Sequence, residues 1–192
     1  MPVHPGKALW RIHKTSGQHP SAWNTYRAYG PLGTMRWDPH PEPVTSHPSC
    51  AILYTAYDLE TCIGEVFQDR ERINTVTASP FATSWSPTRT LQLLDLTQGW
   101  PPRMGASHAL LSASKPTCRN WGHAIWETAL LKEVELDGLQ VRSTLTGQDM
   151  AVLFAASRDA LPAAPAFTSP LNGPLVFTVA SKFAIDNGWT LA

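Results

Sequence analysis

A small set of side chains in this sequence is suited to chemistry and stands apart from the residues expected in the core and in turns. The set comprises Arg11, Arg36, Trp37, Tyr54, Glu65, Ser143 and the seven histidines. Arginine binds anions through a planar fork of N–H groups, an aromatic ring stacks on a flat ligand, and a carboxylate stabilises developing positive charge. Each residue alone also fits a structural role, such as a strand edge for Arg11 or a helix boundary for Glu65. The elements that position these residues therefore decide their interpretation.

Metal and phosphate-loop chemistry have weak support in the sequence. His123 and Glu127 are four residues apart on a predicted helix and could share a metal ion, but no third ligand has matching spacing. There is no HExxH motif and no Cys/His pairing, and the segment from Gly30 to Gly33 lacks the pattern of a phosphate-binding glycine loop. We therefore expect no metal site.

Length, composition and charge predict one domain spanning residues 1–192. The chain is 43% hydrophobic, which is enough for a core, and its 15 Lys plus Arg balance its 15 Asp plus Glu. No global field therefore favours nucleic acid or an anionic membrane as a partner. The first residues lack the apolar segment of a signal peptide, and no stretch is long enough to span a membrane, so we expect a cytoplasmic protein. Three cysteines without a CxxC pair predict reduced thiols.

Two strands and a helix are predicted around three of the candidate residues. Leu9–Ile12 reads as a short strand that contains Arg11, and Ala51–Ala56 reads as a buried strand that contains Tyr54. Asp58 is predicted to cap a helix, in which apolar residues then recur at positions i, i+3, i+4, i+7 and i+8. Glu65 falls within this helix, which has the clearest pattern in the chain.

The other predicted elements mix strands, helices and irregular connections. Four prolines between Trp37 and Cys50 predict an extended surface loop. Further strands are predicted at Leu91–Leu96, Leu139–Ser143 after a turn at Asp137 and Gly138, Met150–Ala155 and Leu175–Val179, with a helix from Asn120 to about Val134 and a connector from Pro162 to Pro170. This order, with 8 tryptophans and 17 prolines, predicts an enzyme-like α+β domain of mixed α/β character.

The order of the motifs resembles the RES-domain family, bacterial toxins named for an Arg, a Glu and a Ser. Trp10–Ile12 resembles the first arginine strand of that family, and Gly33–Trp37 resembles its Gly-Gly-Arg-Trp motif. Leu53–Ala56 and Glu60–Val66 resemble its tyrosine strand and its glutamate helix. Three further segments follow in the family's order, namely Leu94–Thr97, Asp137–Leu139 with Ser143, and Ala151–Phe154.

The resemblance implies both a fold and an activity. The implied fold is similar to that of ADP-ribosyltransferase toxins, a single mixed α/β domain with central β-sheets and flanking helices around an NAD⁺ cleft. The implied activity is that of a toxin that degrades NAD⁺ by cleaving its nicotinamide–ribose bond, through hydrolysis or phosphorolysis. NAD⁺ would be the substrate, no separate cofactor is implied, and the implied protein partner is an Xre-type antitoxin.

The resemblance assigns catalytic roles to Glu65, Arg36 and Ser143. Glu65 would stabilise the positive charge that develops on the ribose as nicotinamide leaves. Ser143 would form a hydrogen bond with the ribose or with the carboxamide of the substrate.

NAD⁺ binding is assigned by the same resemblance to Arg11, Arg36, Tyr54, Trp37 and Ser143. The two arginines would bind the pyrophosphate, because a guanidinium group donates two parallel charge-assisted hydrogen bonds. Tyr54 would stack on the cationic nicotinamide ring, with Trp37 as a second wall.

Two other functions would use the same residues. An ADP-ribosyltransferase would make the same NAD⁺ contacts but pass ADP-ribose to a protein acceptor. A catalytically decayed NAD-binding module is the second alternative, favoured because Met35 replaces a glycine of the family motif and Gln148 or Asp149 replaces its asparagine. Loss of NAD⁺, measured with and without an acceptor protein, distinguishes these functions.

Overall fold

A computed structural model describes residues 1–192 of the chain. The strands in chain order are β1 (Pro2–Val3), β2 (Leu9–Lys14), β3 (Tyr29–Gly30), β4 (Thr45–Ser46), β5 (Ile52–Ala56), β6 (Arg72–Ile73), β7 (Pro80–Trp85), β8 (Leu91–Asp95), β9 (Gly138–Arg142), β10 (Asp149–Phe154), β11 (Phe167–Pro170) and β12 (Thr190–Leu191). The α-helices are α1 (Leu59–Phe67), α2 (Trp100–Arg103), α3 (Lys115–Leu131) and α4 (Pro174–Asn187). Short 3₁₀ helices cover Pro48–Cys50, His108–Ser112 and Ala155–Ala160.

Eight of the strands form one sheet in the order β1-β8-β9-β10-β5-β2-β7-β11. Neighbouring strands are antiparallel except β8 and β9, which are parallel. At the centre of the sheet, Val152 of β10 pairs with Tyr54 of β5, and Ala151 pairs with both Thr55 and Gln140. The predicted mixed α/β class is confirmed.

The central strands are buried on both faces, because successive side chains of a strand point to opposite sides of the sheet. Ile52 and Ala56 of β5 belong to the larger core cluster, whereas Leu53 between them belongs to a second cluster on the opposite face. Strand β10 alternates in the same way. This two-sided burial explains why these strands have continuous apolar sequences rather than an alternating pattern.

Several predicted elements are confirmed at these strands and at α1. The strands predicted at Leu9–Ile12, Ala51–Ala56, Leu91–Leu96 and Met150–Ala155 correspond to β2, β5, β8 and β10 within two residues at each end. Asp58 caps α1, since its carboxylate accepts hydrogen bonds from the backbone N–H of Thr61 at 2.7 Å and from the Thr61 hydroxyl at 2.9 Å.

Four predictions in the second half of the chain are wrong. Leu175–Val179 is not a strand but the start of helix α4, whose buried residues include Val176, Ala180 and Phe183 at helical spacing. The segment Pro162–Pro170 is not only a connector, because its last four residues form β11 and pair with β7.

Helix α3 begins at Lys115 rather than Asn120, since Ser114 caps it by accepting a hydrogen bond from the Thr117 N–H at 3.3 Å. Asp137 and Gly138 do not form a turn either. Gly138 is the first residue of β9, and a Cβ atom there would lie only 2.2 Å from the carbonyl oxygen of Val152. The glycine is therefore required for close approach of two strands.

The predicted surface loop from Trp37 to Cys50 is irregular, as expected, but its first part is not on the surface. Trp37, Asp38, Pro39 and His40 are all buried. The loop contains β4, which pairs with β3, before the 3₁₀ turn that ends at Cys50. The prolines exclude regular structure here without excluding burial.

None of the helices of the protein combines the length and the apolar character that crossing a membrane requires.

Candidate functional site

A cleft of about 370 Å³ lies over the central strands beside the last turns of α1. Its lining consists of Thr34, Met35, Arg36, Trp37, Tyr54, Glu65, Val66, Gln68, Asp69, Lys115, Val141, Arg142, Thr144, Met150 and Val152. The volume lies within the usual range for small-molecule sites. Apolar side chains of the sheet and charged side chains of its rim meet in this cleft, as in sites that bind an amphipathic ligand.

Glu65 contributes a carboxylate to the cleft, and two side chains hold it in place. The Ser143 hydroxyl donates a hydrogen bond to Glu65 Oε1 at 2.6 Å, and the Gln68 side-chain amide donates one to Oε2 at 3.3 Å. Ser143 is itself 3% exposed, and its oxygen accepts hydrogen bonds from the N–H groups of Leu145 at 3.2 Å and Thr146 at 3.1 Å. Donors on both oxygens fix the orientation of the carboxylate.

The Glu65–Ser143 contact depends on close approach of α1 to the turn after β9. The hydroxyls of Thr61 and Thr146 lie 3.2 Å apart and join the helix to this turn. A Cβ atom at Gly64 would lie 2.9 Å from the end of the Leu145 side chain and 3.2 Å from the Phe183 ring. Because glycine has no Cβ, the turn can reach the helix at this point.

Tyr54 and Trp37 meet at the floor of the cleft. The Tyr54 hydroxyl accepts a hydrogen bond from the Trp37 backbone N–H at 3.0 Å and donates one to the Asp38 carboxylate at 3.1 Å. Burial, and then the neighbouring Asp38 charge, raise the pKa of Tyr54 well above its ordinary value. Tyr54 is therefore a neutral ring at physiological pH. Trp37 is only 2% exposed, so nearly all of its indole packs in the core.

Arg36 joins the cleft to the segment that precedes α3. One terminal nitrogen donates a hydrogen bond to the Ala113 carbonyl and contacts the Cys118 sulfur at 3.6 Å. Burial raises the pKa of the Cys118 thiol, which keeps that sulfur protonated. The other N–H groups of Arg36 donate no hydrogen bond within the protein, and the side chain lines the cleft.

A second concavity of about 560 Å³ adjoins the cleft and shares Val66 and Asp69 with it. We call it the basic depression, because its lining includes Arg11, Lys14, His19, Arg70 and Arg72 but only one acidic residue, Asp69. One terminal nitrogen of Arg11 donates hydrogen bonds to the carbonyl oxygens of Trp23 at 2.9 Å and Thr25 at 2.8 Å. Burial lowers the pKa of Arg11 to about 10, so it is still charged at neutral pH.

Comparison with known families agrees with this arrangement. A family model described as the RES domain matches residues 8–173. This chain belongs to the RES-domain family. The resemblance predicted from the Arg, Glu and Ser motifs is thereby confirmed, and the match includes every residue that lines the cleft.

The RES domain is also similar to one solved structure, the M. tuberculosis MbcT–MbcA toxin–antitoxin complex. The alignment has a TM-score of 0.58 and 18% sequence identity, and it covers 94% of this chain and 92% of the other. At this identity the similarity extends to the fold. None of the curated protein sequences compared with the chain is significantly similar to it.

The structure brings four of the six predicted site residues of the RES domain directly into one cleft. Arg36, Trp37, Tyr54 and Glu65 all line it. Ser143 lies behind Glu65, with its hydroxyl proton directed to that carboxylate. The sixth predicted residue, Arg11, lies apart from these five, in the basic depression.

Two polar residues of the site were missed by sequence reasoning. Gln68 lies three residues after Glu65, and this helical spacing is a usable signal for a side-chain contact. Asp38 directly follows Arg36 and Trp37 in the sequence, but nothing in the sequence indicates that its carboxylate would be buried against Tyr54.

The histidine considered as a metal ligand has a structural partner. His123 Nδ1 lies 2.7 Å from the Pro39 carbonyl oxygen, which places this ring against the Pro-rich loop. No group of three or more His, Cys, Asp or Glu side chains has the geometry to bind a metal ion.

Proposed function

We propose that this RES domain is a toxin that cleaves NAD⁺ at the nicotinamide–ribose bond, by hydrolysis or phosphorolysis. The observation that carries the proposal is the Glu65 carboxylate, held from both sides by Ser143 and Gln68 at the edge of a cleft with an aromatic floor. Such a fixed charge suits a reaction whose transition state carries positive charge on a sugar ring.

The nicotinamide end of the substrate fits the cleft best. Nicotinamide in NAD⁺ is a flat cationic ring, and the half-buried ring of Tyr54 can stack on it while Val152 and Met150 exclude water. The hydroxyl of Tyr54 is already bound by Asp38 and Trp37, so the ring, rather than the hydroxyl, is the part offered to the substrate.

The diphosphate of NAD⁺ would lie at the junction of the cleft and the basic depression. Arg36 has unpaired N–H groups on the cleft side, and Arg11 provides a charged guanidinium on the other. The chain has equal numbers of basic and acidic residues. Even so, no ion pair within it involves Lys14, Arg70 or Arg72. A cluster of unpaired cations in a concave surface attracts a polyanionic ligand.

Bond cleavage then follows from the charges. The bond between ribose C1′ and the pyridinium nitrogen breaks, both electrons go to the nitrogen, and nicotinamide leaves as a neutral molecule. Glu65 stabilises the positive charge left on the ribose, and Ser143 keeps the carboxylate in position. An oxygen of water or phosphate bonds to C1′; when water attacks, its proton passes to Glu65 or to solvent. The reaction requires no separate cofactor, because the leaving group is already activated by its charge.

The Glu65→Gln variant tests the proposal. Since the carboxylate acts mainly on the transition state, the substitution should lower turnover by at least about 100-fold and leave NAD⁺ binding nearly intact. The matched control is Glu60→Gln, which removes an exposed carboxylate from the same helix and should retain full turnover. Full activity of the Glu65 variant would refute its catalytic role.

Product analysis separates the chemical alternatives. Purified protein is incubated with NAD⁺ with and without phosphate, and the products are identified by mass spectrometry. ADP-ribose without phosphate dependence indicates hydrolysis, whereas a phosphorylated ADP-ribose indicates phosphorolysis. ADP-ribose attached to an added acceptor protein would favour the transferase instead, and binding without turnover would favour the decayed module.

We also propose that the toxin is inhibited by an antitoxin of the Xre type and acts in the cytoplasm. Support comes from the family resemblance and from the similar solved structure, which is that of a toxin–antitoxin complex. Expression in bacterial cells should deplete NAD⁺ and stop growth, and the Glu65→Gln variant should do neither. Normal NAD⁺ levels in cells that express the active protein without a partner would contradict this proposal.

A further inference from the structure

Asp38 has a buried carboxylate at the back of the cleft. Its side chain is fully buried, and its oxygens accept hydrogen bonds from Arg27 at 2.5 Å, the Leu32 N–H at 3.0 Å and the Tyr54 hydroxyl at 3.1 Å. It does not line the cleft. An ionised carboxylate in the protein interior requires hydrogen-bond donors in place of its lost hydration, and these three groups supply them.

The hydrogen bonds around Asp38 leave Tyr54 little freedom. The Tyr54 hydroxyl donates to Asp38 and accepts from the Trp37 N–H, so both of its hydrogen-bonding functions are used within the protein. The Trp37 amide directly follows Arg36, whose side chain lines the cleft. One carboxylate is thus connected to the floor of the cleft and to the backbone that carries one of its arginines.

On its other side, Asp38 is anchored to the rest of the fold through Arg27. The backbone of Arg27 pairs with Ile52 of β5 through two hydrogen bonds, of 2.8 and 3.0 Å. Burial opposes ionisation of Asp38, but His40, whose Nδ1 is 3.7 Å away, and Arg27 lower the pKa of its carboxyl to about 2. The group is therefore an anion throughout the physiological range.

We propose that Asp38 is a positioning residue, which fixes the Tyr54 ring and the Arg36–Trp37 backbone in the geometry that binds NAD⁺. This inference rests on the proposed function for its substrate, but its structural part can be tested without any substrate. Hydrogen exchange in the free protein tests the structural part, and NAD⁺ kinetics test the effect on the substrate.

The first test measures hydrogen exchange of two backbone amides by NMR in the free protein. Asp38→Asn should accelerate exchange at both Leu32 and Trp37 by at least about tenfold, because one carboxylate orders both amides. Tyr54→Phe, which removes only the hydroxyl, should accelerate Trp37 and leave Leu32 protected. The matched control is Asp137→Asn. Asp137 is another buried aspartate paired with an arginine, but none of its partners lines the cleft, so this variant should change neither amide locally.

The second test is a double-mutant cycle on NAD⁺ kinetics. Tyr54→Phe and Asp38→Asn should each raise KM about tenfold and change kcat by less than about threefold, because they disturb binding geometry and not the Glu65 carboxylate. If Asp38 acts through Tyr54, the KM of the double variant should nearly equal that of the single variant with the higher KM.

Either of two results would overturn the inference. One is unchanged exchange at Trp37 in Asp38→Asn relative to Asp137→Asn, and the other is multiplication of the two KM effects in the double variant. Where Asp38→Asn fails to fold, Tyr54→Phe still decides. A wild-type KM together with wild-type exchange at Trp37 in that variant would show that the hydrogen bonds of the Tyr54 hydroxyl do not position the site. A wild-type protein that neither binds nor cleaves NAD⁺ would refute the proposed function, and the exchange experiment would still decide whether Asp38 orders this part of the protein.

Discussion

Buried aspartates meet arginines in two regions of this molecule, and the two networks differ in what they connect. Asp38 binds Arg27 and also the hydroxyl of Tyr54, which lines the cleft. Asp137 binds both terminal nitrogens of Arg89, at 2.9 and 2.8 Å, and the N–H of Gln92 at 2.8 Å. The first network reaches the cleft through Tyr54, whereas the second joins strand β8 to the residue that precedes β9.

The same pair of residue types can stabilise the fold in one place and position a site in another. Arg89 extends the second network to Asp159 and to the carbonyls of Thr90 and Ala156, so that it ties together three separate segments of chain. None of these groups lines the cleft. Perturbing Asp137 should therefore change stability without changing the site, and perturbing Asp38 should change both.

The largest expected effect is on stability in the Asp137→Asn variant. Removing the charge leaves Arg89 without its bidentate partner and directs an amide donor toward other donors, which costs about 3 kcal/mol of unfolding free energy. Urea denaturation measures this as a lower midpoint with an unchanged slope. KM and kcat per folded molecule should equal those of the wild type, and altered kinetics would mean that the two networks are not independent.

An intermediate effect is expected for Asp38 in acid. Its pKa is about 2 in the folded protein and is near 3.8 when unperturbed, so the carboxylate contributes stability above about pH 4 that is lost as the pH falls toward 2. The shift corresponds to about 2 kcal/mol.

Comparison with Asp38→Asn isolates this contribution. The groups that face the carboxylate are His40, Arg27 and Tyr54, and none of them has an ordinary pKa between 2 and 4. In urea unfolding from pH 5 to pH 2, the difference between wild type and variant should therefore shrink as the pH falls. If the unfolding free energies of the two proteins changed in parallel with pH, the ionised Asp38 carboxylate would gain no stabilisation from its partners.

Elements with a strong local signal were predictable from the sequence, whereas those defined by distant partners were not. The N-cap and apolar period of α1 and the apolar run of β5 need only a few neighbouring residues. Strand β7 mixes Pro80, Thr83 and Ser84 with aromatic residues and becomes a strand through pairing with β2 and β11. In α4, the five residues Leu175–Val179 are too short a window to distinguish a helical period from a buried strand.

The same distinction applies to the candidate site, where motif residues were predictable and a residue defined by tertiary contacts was not. Motif order predicts that Arg36, Tyr54 and Glu65 share a site, and all three side chains line one cleft. Asp38 was missed because its partners lie 11 and 16 residues away, and a charged residue between a tryptophan and a proline reads as part of an exposed loop. Its burial is a tertiary property, produced when Arg27 and Tyr54 converge on one point.

The smallest effect in the comparison is expected at Asp159, the outer partner of Arg89. Its carboxylate accepts hydrogen bonds from Arg89 Nη2 at 2.6 Å and from Arg89 Nε at 3.1 Å, and this neighbour lowers the pKa of Asp159. Its side chain is nevertheless 68% exposed, so water replaces the lost contacts and Arg89 keeps Asp137 as a partner. Asp159→Ala should lower the unfolding free energy by less than about 1 kcal/mol, most of it removed by high salt. A loss in urea unfolding as large as that of Asp137→Asn would mean that the two aspartates act as one unit, and the network would then depend on its exposed half as much as on its buried half.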